Sequence, residues 1–213
     1  MEVIVDIHQQ RGKVHVTFSS GETFRVHKSF FRQRPLDVGD TIDTQEYEMW
    51  LMAKQLHPAL DRAVAYLAAR AHSRAELESK LLRCDYRPQL VELVLFKLEQ
   101  QHLLDDSDFA QQWVEARTNR KLGRQRIAME LRRKGVSQEE AETALSSVDD
   151  EDQLENATAL AEKAFARAKR DEDPRKTAQR IQAMLARRGY SWDIVREAVA
   201  KVMSDAGDDV MDE

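Results

Sequence analysis

The chain has 213 residues, 33% of them charged, with 33 Lys and Arg against 38 Asp and Glu for a formal net charge of −5. That length allows one or two domains, while a single Cys excludes a disulfide framework and a thiolate zinc site. No apolar run reaches the ~18 residues of a membrane span, and the N-terminus lacks a signal-peptide pattern, so a cytoplasmic protein with no membrane partner is expected.

From residue 1 to about 28 the apolar residues alternate: Val3, Val5 and Ile7, then Val14, Val16 and Phe18, then Phe24 and Val26. Period two predicts strands with one buried face, broken at Gly12 and Gly21, hence a three-stranded antiparallel meander. Phe30, Phe31, Leu36 and Val38 should cover its apolar face, with a helix capped by Asp43 and running through Tyr47, Trp50 and Leu51 until Pro58 interrupts it. Residues 1–56 are therefore expected to form a small β-rich module.

Helical periodicity then takes over, and it repeats. Ser73 to Leu77 and Leu81, Asp85-Tyr86-Arg87, then Val91, Val94, Leu95 and Leu98 make one copy. About 50 residues on, the pattern returns as Gly123 to Ile127 and Leu131, Gly135-Val136-Ser137, then Ala141, Ala144, Leu145 and Val148. A third copy has Thr177 to Ile181 and Leu185, Gly189-Tyr190-Ser191, then Val195, Ala198, Val199 and Val202. Asp85, Gly135 and Gly189 fall where a left-handed residue closes a helix, and Ser137 with Glu140 has capping-box spacing, as does Ser73 with Glu76. A further helix leads each copy: Ala63 to Ala71, Ser107 to Arg120, and about Asp152 to Arg170. Three-helix repeats are thus predicted over 57–105, 106–149 and 150–203, none burying its apolar stripe alone, with a frayed acidic tail over 204–213. The fold class is mainly α: three tandem three-helix repeats in an elongated or curved body, preceded by the β-rich module.

Counted locally, the charge is banded. Ser107 to Ser137 holds eight basic residues (Arg117, Arg120, Lys121, Arg124, Arg126, Arg132, Arg133, Lys134) against three acidic. Gln138 to Asn156 holds eight acids and no base, and Lys163 to Tyr190 is basic again, with Lys163, Arg167, Lys169, Arg170, Arg175, Lys176, Arg180, Arg187 and Arg188. Bands of this kind suit a long surface meeting a patterned partner.

Residues 57–203 resemble the RecX family of bacterial recombination regulators. The resemblance rests on His72-Ser-Arg-Ala-Glu-Leu77, on Leu103-Leu104-Asp105-Asp106 with Phe109 and Ala110, and on Arg117 to Gly123 with Arg126-Ile127, Glu130-Leu131 and Lys134-Gly135-Val136. Arg187-Arg188-Gly189-Tyr190 followed by Trp192 continues it, and the β-module resembles an extension of some longer members. Asp85 departs from the Gly of the other two copies. The resemblance implies a non-enzymatic, monomeric regulator of the RecA recombinase. It would lie in the groove of the RecA filament on DNA and restrain ATP hydrolysis, strand exchange and the LexA cleavage that triggers the SOS response. Arg117, Arg120, Lys121, Arg124, Arg132 and Arg133 are the residues expected to contact that partner, with Arg126 reserved for an internal pair.

Other chemistries find little support. The chain has no P-loop, dinucleotide turn, nucleophile elbow or His-Glu-x-x-His, and its six His show no i, i+4 pair, so no cofactor, metal or catalytic residue is expected. Lone Cys84 reads as a small core residue, and Trp113 and Trp192 as packing residues. Helix, tight turn, helix is also the outline of a DNA reader, but Gln138-Glu139-Glu140 would set carboxylates against phosphates. Non-specific contact with single-stranded or duplex DNA through the basic second repeat is the surviving alternative.

Overall fold

The computed structural model describes residues 1–168 and 173–208. The chain divides into two units, one of Met1–His72 with Leu77–Leu104, the other of Ser73–Glu76 with the chain from Asp105 onward.

In the first unit β1 (Glu2–Gln10), β2 (Lys13–Phe18) and β3 (Thr23–His27) form the expected antiparallel meander, and Val14, Val16, Phe18, Phe24 and Val26 are buried as alternation requires. β1 departs from expectation. Ile4 pairs with Phe18 but Asp6 with Thr17, so Val5 is an extra residue in a bulge. The bulge shifts the parity: Ile4 and Ile7 face the core, and Val3 and Val5, expected inside, are exposed. After α1 (Lys28–Phe31), a fourth strand β4 (Thr41–Ile42) pairs with β1 and sets the order β3-β2-β1-β4. Two residues carry no alternation that a sequence reading could find. Leu36 is buried and Phe30 and Phe31 pack against the sheet core, but Val38 is exposed.

The helix expected to stop before Pro58 and the one expected over Ala63 to Ala71 are a single helix, α2 (Thr44–Ala69). Asp43 caps it, its carboxylate accepting from the N–H groups of Gln45 and Glu46 at 2.9 and 3.2 Å. An interior proline costs about 3 kcal/mol, but the stripe Tyr47, Leu51, Gln55, Ala59 and Ala63 passes through it with four-residue spacing and is buried throughout. Tyr47 and Leu51 serve the sheet core, and Ala59 and Ala63 the next core along. One helix therefore belongs to both the β-module and the first repeat.

That repeat is completed by α3 (Arg74–Leu82) and α4 (Pro88–Gln100). The second consists of α5 (Asp106–Thr118), α6 (Arg124–Arg133) and α7 (Gln138–Leu145), the third of α8 (Asp150–Phe165), α9 (Pro174–Arg188) and α10 (Trp192–Asp208). Asp85, Gly135 and Gly189 have φ of 62°, 78° and 88°, the left-handed closure read from the sequence. The Ser137–Glu140 capping box is formed on both sides. Each repeat has its own buried cluster, centred on Leu77, Leu81 and Val94, on Ile127, Leu131 and Leu145, and on Ile181, Leu185 and Val199. A three-helix unit closes its own core here, contrary to the expectation that none would. α10 runs on to Asp208, past the expected start of the tail; residues 209–213 of that tail, and Lys169 and Arg170 of the second basic band, lie outside the described residues.

Candidate functional site

The second unit joins its repeats through helix ends. The N–H groups of Gly123 and Gln125, in the turn that opens α6, donate to the carbonyls of Arg188 and Gly189 at the end of α9, at 2.9 and 3.1 Å. Orphan donors of one helix thus satisfy orphan acceptors of another. Both glycines are required by proximity: a Cβ on Gly123 would lie 2.2 Å from the Gly189 carbonyl carbon, and one on Gly189 2.3 Å from the Arg126 Cβ. The Arg188 guanidinium donates to the carbonyls of Arg120 and Lys121, each at 3.3 Å, and the Tyr190 hydroxyl donates to Lys121 at 2.9 Å. Burial pushes the Tyr190 hydroxyl up to about 12, with Arg188 opposing, so it stays a donor across the physiological range. Two basic bands about 60 residues apart in sequence therefore meet, with Arg187 beside the Arg120–Arg126 turn.

The six nominated cations separate into three groups. Arg117 and Arg124 are structural. Arg117 is 18% exposed, bonds Glu130 at 2.7 Å and lies over the Trp113 ring at 3.8 Å. Glu130 is shared with Arg126 at 3.3 Å, the internal pair expected for that residue. Burial pushes the Glu130 carboxyl up, but the hydrogen bonds from Arg117 and Arg126 and the Arg117 charge outweigh it and hold it below its ordinary value. Arg124 bonds the Val148 carbonyl and pairs with Asp150 at 3.3 Å, while its backbone N–H donates to buried Gln153 at 3.0 Å. That side chain ties α6 to the α7–α8 junction. Lys121 is half-buried, with φ of 55°. Arg120, Arg132 and Arg133 are exposed, and none has a carboxylate partner among the described residues.

Two further expectations are corrected. Trp113 packs on Phe109 with ring centroids 5.7 Å apart, as expected, but Trp192 is 56% exposed because the first position of α10 lies outside its buried stripe. Cys84 is not a core residue; it follows the end of α3, half-buried, and accepts from Arg62 at 3.3 Å.

The repeat register exposes a feature that band counting missed. With Leu81, Leu131 and Leu185 aligned, the residue two further on is Arg83, Arg133 and Arg187, exposed in each case. None of the three pairs with a carboxylate among the described residues. A cation near a helix C-terminus gains about 0.3–1 kcal/mol from the helix dipole, but that does not require arginine, nor leave its guanidinium engaged. Arg83 does not stand out in a count of charge because Glu76, Glu78 and Asp85 balance Lys80 and Arg87 around it; only the register of the three copies marks it. Among the described residues no group of three or more His, Cys, Asp or Glu is placed to hold a metal ion, and no helix is long and apolar enough to cross a membrane.

Family profiles match in order: "RecX, first three-helix domain" over residues 59–98, the second over 105–145 and the third over 150–199. "Regulatory protein RecX" of a Mycobacterium species (strain JLS) is 39% identical over 137 residues, 62% of this chain and 75% of that protein. Its counterpart in Chlorobium limicola is 36% identical over 141 residues, 66% of this chain and 86% of the relative. A crystal structure described as "regulatory protein RecX" superposes with a TM-score of 0.65 at 27% identity, covering 93% of this chain and 98% of the other. With all three of its repeats matched in order and most of each relative's length covered, this chain belongs to the RecX family of regulatory proteins.

Proposed function

We propose that this RecX-family chain acts as a cytoplasmic, monomeric, non-enzymatic regulator that binds the RecA recombinase filament on DNA in its groove. Bound there it restrains ATP hydrolysis, strand exchange and LexA cleavage. The observation that carries the reading is the exposed arginine at one position of every repeat, Arg83, Arg133 and Arg187, with Arg120 and Arg132 nearby in sequence. A filament presents the same acidic or phosphate groups at regular intervals, and a repeated cation suits a repeated anion. Guanidiniums without an internal partner can pair outward with no internal bond broken. At physiological salt the Debye length is ~8 Å, so these cations act locally despite the negative total.

The test is the ATPase activity of RecA filaments titrated with purified protein. Slowed hydrolysis or a changed filament lifetime is expected; no effect at large excess overturns the reading. Reversing Arg120, Arg132 and Arg133 to Glu should weaken the effect about tenfold or more, with helix content by circular dichroism unchanged. Reversal of Arg124 should instead lower thermal stability, because its charge is spent on Asp150 and the Val148 carbonyl. Non-specific DNA contact through the same guanidiniums is the second reading, favoured by the absence of carboxylate partners for them among the described residues.

A further inference from the structure

The first unit contains a cavity of about 520 Å³ bounded by β2 and β3, by α2 and by the turn after α3. This is within the range of small-ligand sites. Lys13, Arg25, Arg62 and Arg83 line it, against a single lining carboxylate, Asp85. Lys13 and Arg25 share that carboxylate, Arg25 at 3.5 Å. Arg62 and Arg83 have no carboxylate partner among the described residues, and the Arg62 guanidinium spends one N–H on the Cys84 sulfur. The excess of positive charge is felt by its neighbours. Burial pushes the Cys84 thiol up, but the hydrogen bonds from Arg62 and Tyr66 and the charges of Arg62 and Lys13 outweigh it and bring it below its ordinary value. His15, opposite Arg25 in the β2–β3 ladder, is lowered by burial and by the charges of His8, Arg25 and Lys13. The rest of the wall combines apolar and aromatic surface from Phe30, Pro58 and Tyr86 with the polar side chains of His27, Ser29 and Gln55.

Guanidiniums match phosphate oxygens in a two-pronged geometry, and aromatic faces take the planes of bases. We propose that this cavity binds a nucleotide, free or as one unit of a single strand, with its phosphates on Arg25, Arg62 and Arg83 and its base against Phe30 and Tyr86. Asp85 keeps Lys13 and Arg25 in place, leaving Arg62 and Arg83 to neutralise the ligand. Of the repeated arginines only Arg83 is shared with this site; Lys13, Arg25 and Arg62 lie outside that series, and nucleotide protection of Cys84 is read without any filament present. It gives the β-module a role of its own, because β2 and β3 supply half of the cations.

Cys84 lines the cavity and is the single cysteine of the chain, so its alkylation by uncharged iodoacetamide gauges occupancy. The full-length protein is labelled in the presence of increasing nucleoside triphosphate, oligothymidylate or inorganic tripolyphosphate. Saturable protection by the nucleoside triphosphate supports the site and a free nucleotide as its occupant. Protection by the oligonucleotide alone supports the site and assigns it to a strand. Arg83→Gln should raise the half-protecting concentration about tenfold, the expected cost of one charge-assisted hydrogen bond. Lys54→Gln, on α2 but outside the lining, should leave it unchanged. Labelling that neither millimolar nucleotide nor oligonucleotide slows overturns the proposal, as does protection that tripolyphosphate gives equally or that Arg83→Gln leaves undiminished.

Discussion

At the scale of single residues, Glu130 organises the second repeat. Its carboxylate holds Arg117 at 2.7 Å and Arg126 at 3.3 Å, and Arg117 in turn covers the Trp113 ring. With only 18% of its side chain exposed, this carboxylate is shielded from the screening that makes surface pairs nearly worthless. Its folded value lies below the ordinary 4.5, so the stability it contributes is complete above that value and is lost as pH falls through the folded one. Glu130→Gln should therefore cost about 1–3 kcal/mol at neutral pH, and urea midpoints measured at decreasing pH should show the gap to the native protein narrowing below about 4.5. A gap independent of pH would mean that packing, not charge, supplies the contribution. Arg117 looked like a partner-binding cation for a plain reason: a run of like charges in a sequence does not disclose which member faces a carboxylate thirteen positions away.

Among the elements, helix ends explain much of the charge banding. Acids fill the first turns of α7 (Glu139, Glu140) and α8 (Asp150, Glu151, Asp152), and bases the last turns of α6 (Arg132, Arg133) and α9 (Arg187, Arg188). Each sign sits where the helix dipole favours it. The bands thus follow the repeat of helix ends, and only cations left without partners are free to serve recognition. The same ends make the seam between the second and third repeats, where backbone meets backbone at Gly123 and Gly189. Gly123→Ala places a methyl 2.2 Å from a carbonyl carbon that cannot move aside. It should destabilise by about 3 kcal/mol and let the third repeat melt before the second, so that hydrogen exchange in α9 and α10 outpaces that in α5 to α7. Cooperative loss of both repeats together would show that their cores, not the seam, couple them. The elements also show where periodicity misleads. The β1 bulge inverted the faces of Val3 and Val5, and the buried stripe of α2 ran straight through a proline that sequence rules treat as a stop.

For the molecule as a whole, a net charge of −5 coexists with an exposed arginine at one shared position of every repeat, none of the three paired with a carboxylate among the described residues. If Arg83, Arg133 and Arg187 each neutralise a phosphate, replacing all three by Gln should reduce the slope of log affinity for single-stranded DNA against log salt by about 2. An unchanged slope in a salt-series binding assay would remove phosphates as their target and leave acidic protein groups. Much of this was legible in sequence because it is local or periodic. Apolar spacing specified three copies of one helical unit, a residue placed for left-handed closure ended the second helix of each, and Ser137 with Glu140 announced its own cap. The family followed from the same order of residues. What only the tertiary structure decided is the fate of each charge and aromatic: Arg117 and Arg124 are consumed internally, Trp192 is left in the open, and Cys84 sits among arginines. The physical reason is that propensity and period act within a few residues along the chain. An ion pair or a cavity wall is made by groups that adjoin only after the backbone has folded, and no short-range rule records which those will be.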